Sequence, residues 1–269
     1  MTRITERFNK LKAEGRKAFI PYITAGDPDL ATTERLILAL AEAGADVIEL
    51  GVPFSDPLAD GPVIQRAVER ALAAGGSMRA TLDMIASIRS EVTAPIVLFT
   101  YANPIVRMGL DAFATRAAEA GVDGVLALDL PVEEADEFRE ALTRHGLDTI
   151  FLLSPTTIAS RIKRAGELGS GFLYGISRLG VTGARETVAT GAEDMVRRIR
   201  AVTNLPLALG FGISTPAHVA EVGAYADAAV VGSALVALIA QTTGAADQIA
   251  RVEDYVRSLR AACVASKAS

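Results

Sequence analysis

Hydrophobic and polar positions along this chain fall into a repeating unit. A stretch with apolar residues three and four apart is followed by a short, almost wholly apolar run, and the pair recurs to the C-terminal end. The first spacing marks an amphipathic helix, and the second pattern marks a buried strand. The apolar runs predict strands at 18–23, 47–50, 95–100, 124–128, 149–153, 171–175, 205–210 and 228–231. Helical spacing predicts a leading helix at 4–14 and further helices at 30–43, 78–89, 110–120, 132–145, 158–168, 193–201, 216–223 and 247–262. One more helix is expected to begin at Pro62, and a short one to span 233–240.

The units share a joint. Gly44-Ala45-Asp46, Gly121-Val122-Asp123 and Gly146-Leu147-Asp148 each connect a helix to the next strand. Glycine suits the left-handed end of a helix, and aspartate suits the turn back into a sheet. Strands buried on both faces and alternating with helices imply a parallel sheet. Eight such units favour a closed barrel over an open doubly wound sheet. No Ser/Gly/Pro-rich linker interrupts the pattern. The expected fold class is therefore α/β: a single (β/α)8 TIM barrel over residues 1–269, with an extra N-terminal helix and a short helix after strand eight.

Composition narrows the function classes. The net charge is −5 and no basic block stands out, so neither nucleic acid nor an anionic membrane is an expected partner. No apolar run is long enough to span a bilayer, and the polar N-terminus lacks the core of a signal peptide. One cysteine, Cys263, cannot form an internal disulfide, which suits a reducing, cytoplasmic setting.

In a barrel, chemistry belongs where the strands end at their C-terminal side. Glu49 lies within the apolar run Val47-Ile48-Glu49-Leu50. A carboxylate there is costly unless something satisfies or uses it. Its alternative reading is a structural acid paired to an arginine, but no Arg or Lys falls at a neighbouring strand end. Two more acids, Asp56 and Asp60, lie on the following loop, whose backbone is restrained by Pro53, Pro57, Gly61 and Pro62. Asp60 reads equally well as a helix N-cap, and Asp56 reads better as a turn or surface residue.

Glycines gather at the later strand ends: Gly183 in the loop after strand six, Gly210 and Gly212 after strand seven, and Gly232 with Ser233 after strand eight. With the start of an extra helix, these suit a phosphate cradle made of backbone N–H groups. Each glycine alone reads equally as a tight turn. None of the five lysines falls at a strand end, which argues against a Schiff base. Neither histidine, His145 or His218, falls there either, which argues against catalytic zinc. What remains points to acid/base catalysis on a phosphorylated small molecule, with no metal.

The stretch Glu49-Leu-Gly-Val-Pro-Phe-Ser-Asp-Pro-Leu-Ala-Asp-Gly-Pro-Val-Ile-Gln65 resembles the signature of the tryptophan synthase alpha chain family. Supporting matches are Phe19-Ile-Pro-Tyr-Ile-Thr-Ala-Gly-Asp-Pro28, Tyr101-Ala-Asn-Pro-Ile105, Asp129-Leu-Pro-Val-Glu-Glu134, Ser177-Arg-Leu-Gly-Val-Thr-Gly183 and Gly210-Phe-Gly-Ile-Ser214. They run from the first strand region to the last.

The resemblance implies a lyase that cleaves indole-3-glycerol phosphate to indole and glyceraldehyde 3-phosphate. It makes Glu49 the proton shuttle and Asp60 the acid that holds the indole N–H. It places Tyr22, Phe99 and Ile64 around the indole, with Tyr174 and Thr182 near the site. It assigns Gly183, Gly212, Gly232 and Ser233 to the phosphate. It implies a tryptophan synthase beta chain as partner in an α2β2 assembly, met by Pro53 and Asp56. Pyridoxal phosphate is expected on that partner only, and no cofactor on this chain. Departures at Leu152-Leu-Ser-Pro155 and Leu179 are expected to touch no catalytic group. Alternatives are a stand-alone lyase, a different phosphosugar barrel, and a non-catalytic phosphate-binding subunit.

Overall fold

The computed structural model describes residues 1–176, 192–210, 212–242 and 244–263. Its strands are β1 (Ala18–Thr24), β2 (Ile48–Gly51), β3 (Ile96–Thr100), β4 (Gly124–Ala127), β5 (Asp148–Thr149 with Leu152–Leu153), β6 (Leu173–Ile176), β7 (Leu207–Gly210) and β8 (Ala228–Val231). Every pairing is parallel, and β1 lies between β2 and β8. The first half of β5 pairs with β4 and its second half with β6, which closes the barrel. At the division Ile150 N–H donates to Val125 O, and Phe151 O accepts from Tyr174 N–H. The continuous fifth strand expected from its apolar run is thus split at its centre, one half serving each neighbour.

Strand period two divides the core into an inner and an outer part. Ile20, Val47, Val97, Leu126, Ile150, Phe172, Ala208 and Val230 fill the interior, and the alternate residues pack outward against the helices. The leading helix, Arg3–Ala13, contributes Ile4, Phe8 and Leu11 to the interior cluster. Phe8 meets Phe172 at a centroid distance of 5.7 Å.

The Gly-x-Asp joints do more than start turns. Gly44, Gly121 and Gly146 all have positive φ, as their helix-end positions require. Asp46 accepts from Phe19 N–H at 2.9 Å, and Asp123 from Ile96 N–H at 2.8 Å, so each ties its joint to the first turn of an adjacent strand. The same carboxylates hold the leading helix. Asp46 pairs with Arg7 at 2.9 Å, Asp123 with Arg3 at 3.2 Å, and Asp148 accepts from Thr2 Oγ1 at 2.6 Å.

The helices expected at 110–120 and 216–223 have those bounds, Leu110–Ala120 and Pro216–Gly223. The helix after Asp60 is Pro62–Ala73. The stretch expected as one helix at 132–145 is a 3-10 turn, Val132–Glu134, followed by Asp136–Arg144. An additional short helix, Ala102–Met108, follows β3, and Asp129 from the β4 exit accepts its Ala102 N–H at 2.6 Å. Among the described residues no helix is long and apolar enough to cross a membrane.

Candidate active site

A cavity opens at the C-terminal end of the barrel. Tyr22, Phe99, Leu128, Leu152, Tyr174 and Ile176 form its apolar wall; Asp60 and Ile64 stand on one side, and Gly212, Gly232 and Ser233 on the other. The rings of Tyr22 and Phe99 meet edge to face at 5.3 Å, and Phe99 lies 6.2 Å from Tyr174. Parity explains the wall: Tyr22, Phe99, Leu128, Leu152 and Tyr174 each sit two residues beyond an inward-facing position.

Glu49 is inward for the same reason, two residues beyond Val47, and stands in register with Tyr22 on one side and Val97 on the other. Its side chain is wholly buried and does not itself line the cavity. Neither carboxylate oxygen has a hydrogen-bond partner among the described residues. Among the described residues no arginine pairs with Glu49. Burial pushes its carboxyl up to about 8. It is a protonated acid at neutral pH.

Asp60 is 6% exposed, and its Oδ2 accepts from the Tyr101 hydroxyl at 2.9 Å. Burial raises its carboxyl to about 6, while the Tyr101 hydrogen bond works against that rise. The N-cap of helix Pro62–Ala73 is Gly61, with no side-chain cap, so Asp60 is not a helix cap. The two acids, both near enough to Tyr22 of the cavity wall to add to the rise that burial gives its hydroxyl, thus differ: one keeps its proton near neutrality and the other gives it up, the separation that acid/base chemistry requires.

Sequence reasoning gave Tyr101 no role in the site, yet its hydroxyl also accepts from Ala59 N–H at 3.0 Å, and its ring lies 5.3 Å from Phe54. One side chain therefore grips the Asp60 loop at two points. The inward series 97, 99, 101 was the signal. Farther back, Arg70 of helix Pro62–Ala73 holds the buried Asp27 through two bonds of 2.7 and 2.8 Å, fastening that helix to the loop after β1.

Other expected residues are placed as follows. Gly212 (φ 76°), Gly232 and Ser233 meet at the cavity rim, where helix Ser233–Gln241 begins. Gly210 does not line the cavity; a Cβ there would stand 2.1 Å from Tyr174 Oη. Pro53 is buried and its ring faces Gly76, whereas Asp56 is exposed and accepts from Ser55 Oγ at 2.6 Å. Leu152, one of the departures from the family pattern, lines the cavity. Thr182, Gly183 and Leu179 lie outside the described residues. Among the described residues, no three His, Cys, Asp or Glu side chains are grouped to hold a metal ion.

Comparison with known proteins agrees with this geometry. Residues 8–264 match the family model "Tryptophan synthase alpha chain". The chain is 50% identical over 260 residues to the tryptophan synthase alpha chain of Solibacter usitatus, covering 97% of each. It is 52% identical to that of Geobacter sulfurreducens, covering 97% of this chain and 99% of the relative. Among solved structures, a chain of Mycobacterium tuberculosis tryptophan synthase superposes with a TM-score of 0.90 at 37% identity, covering 98% of this chain and 99% of that one. The alpha subunit from Legionella pneumophila superposes with a TM-score of 0.88 at 41% identity, covering 98% of both. This chain belongs to the tryptophan synthase alpha chain family.

Proposed function

We propose that this lyase uses Glu49 and Asp60 to cleave indole-3-glycerol phosphate into indole and glyceraldehyde 3-phosphate, a step of tryptophan biosynthesis. One observation supports the assignment: a wholly buried glutamic acid, without a hydrogen-bond partner among the described residues, stands in register with Tyr22 of the cavity wall, and the tyrosine-held Asp60 lines the same cavity.

The division of labour follows from their ionisation. Glu49, protonated near neutrality, gives its proton to the ring carbon that carries the glycerol chain. The ring becomes cationic, and anionic Asp60 accepts a hydrogen bond from the ring N–H and stabilises that charge. The carboxylate left on Glu49 takes the proton of the adjacent chain hydroxyl. The carbon–carbon bond then breaks, its electrons return to the ring, and an aldehyde forms. Tyr22, Phe99, Ile64 and Tyr174 enclose the indole. Gly212, Gly232 and Ser233 receive the phosphate at the start of helix Ser233–Gln241, together with Gly183.

Chains of this family work with a beta chain. An α2β2 assembly is the form we assign here, docked through the loop that carries exposed Asp56 and Leu58, 88% exposed; Pro53 supports that loop from behind. Pyridoxal phosphate belongs to the partner, this chain needs no cofactor of its own, and the setting is cytoplasmic. The test is cleavage of indole-3-glycerol phosphate with and without a beta chain. Glu49→Gln should lower kcat by about two to four orders of magnitude with the fold retained. An unchanged rate would remove Glu49 from the reaction.

A further inference from the structure

The barrel mouth uses one device twice. Tyr22 of β1 stands in register with Glu49 of β2 and leans over the next inward position, Gly51. A Cβ at Gly51 would lie 2.1 Å from Tyr22 Oη, 2.6 Å from Cζ and 2.9 Å from Cε2. Tyr174 of β6 stands in register with Ala208 of β7 and leans over Gly210 in the same way, at 2.1, 2.7 and 3.1 Å. In each pair the phenol fills the space where the neighbouring strand would carry a side chain.

Gly51 lies in ordinary strand backbone, paired with Thr24 and Phe99, so its conformation would admit any residue. The three nearest atoms that a Cβ there would meet all belong to Tyr22. Tyr22 has little freedom elsewhere. Phe99 stands against it edge-on, it packs in a cluster with Ile64, Ala67, Val68 and Val236, and a Cβ on Gly232 would already touch it at 3.5 Å. On another side Tyr22 lines the cavity.

We infer that Gly51 is a specificity-determining residue: by receiving the Tyr22 phenol into the β2 wall, it sets the width of the pocket that takes the aromatic ring. The inference rests on the proposal that an indole ring occupies this cavity. A methyl group at position 51 drives the phenol into that space, and shortening residue 22 relieves the conflict.

The chain contains no tryptophan, so the fluorescence of added indole reports its binding without interference from protein indole. Gly51→Ala should weaken indole binding about tenfold or more, the scale of overpacking by one methyl group. Adding Tyr22→Leu should restore binding to within about threefold. In turnover of indole-3-glycerol phosphate, Gly51→Ala should raise KM more than it lowers kcat. Wild-type binding by Gly51→Ala overturns the inference, as does a double variant as weak as the single. If Gly51→Ala does not fold, Tyr22→Leu alone decides: it should favour 5-methylindole over indole at least about threefold more than the wild type does. An unchanged preference overturns the inference. A wild-type chain that binds no indole overturns the underlying functional reading instead.

Discussion

The Tyr101 hydroxyl donates to Asp60 at 2.9 Å while accepting from Ala59 N–H at 3.0 Å, so one phenol holds both the acid and the backbone beside it. Tyr101→Phe removes the donor and the loop anchor together. The variant should lose about ten- to a hundredfold in kcat/KM, the scale of a hydrogen bond to a charged group. The lost hydrogen bond also held the Asp60 carboxyl down, so the acidic limb of the pH profile should move upward from about 6. An unmoved limb would mean that the tyrosine is only structural.

The pH dependence of kcat/KM should be bell-shaped. Activity should rise through about 6 as Asp60 becomes anionic, and fall above about 8 as Glu49 loses its proton. A profile lacking the alkaline limb would remove Glu49 as the proton donor.

The same burial predicts a stability signature. The folded chain holds the Glu49 proton up to about 8, against an ordinary value of 4.5, so between these values the folded state binds more protons than the unfolded one. Stability from this group is complete below 4.5 and is lost as pH rises through about 8. Glu49→Gln escapes the loss. The difference in Tm between the variant and wild type should therefore widen across that window and level off above it. A constant difference would contradict the buried, unpaired placement.

At the rim, Gly212 holds a φ of 76°, which costs an alanine about 1–2 kcal/mol. Gly212→Ala should weaken inhibition by inorganic phosphate by roughly tenfold and raise KM for the phosphorylated substrate, leaving the binding of free indole unchanged. Weakened indole binding would place Gly212 with the ring instead.

Much of the fold was legible in the sequence: apolar runs marked the strands, helical spacing marked the outer layer, and the one carboxylate inside an apolar run marked Glu49. Tyr22, Phe99 and Tyr174 were named by the resemblance alone, and strand parity in the folded chain is what explains their place on the wall. What escaped was long-range. Helix Ala102–Met108 has its first N–H satisfied by Asp129, 27 residues on, and no local pattern announces that. The division of β5 follows from closure, since its two halves answer to different neighbours. Gly210 read as part of a phosphate cradle because a glycine after a strand usually serves the backbone; here it makes room for Tyr174. Leu152 entered the sequence reading only as a departure from a motif; its parity is what puts it on the cavity wall.

The leading helix carries a consequence for the site. Ile4, Phe8 and Leu11 stopper the far end of the barrel, and Arg3, Arg7 and Thr2 latch that stopper to Asp123, Asp46 and Asp148. Among the described residues that end of the interior is filled by packed side chains, while the cavity opens at the opposite rim. Disturbing the latch would therefore reach the substrate only through the barrel between them.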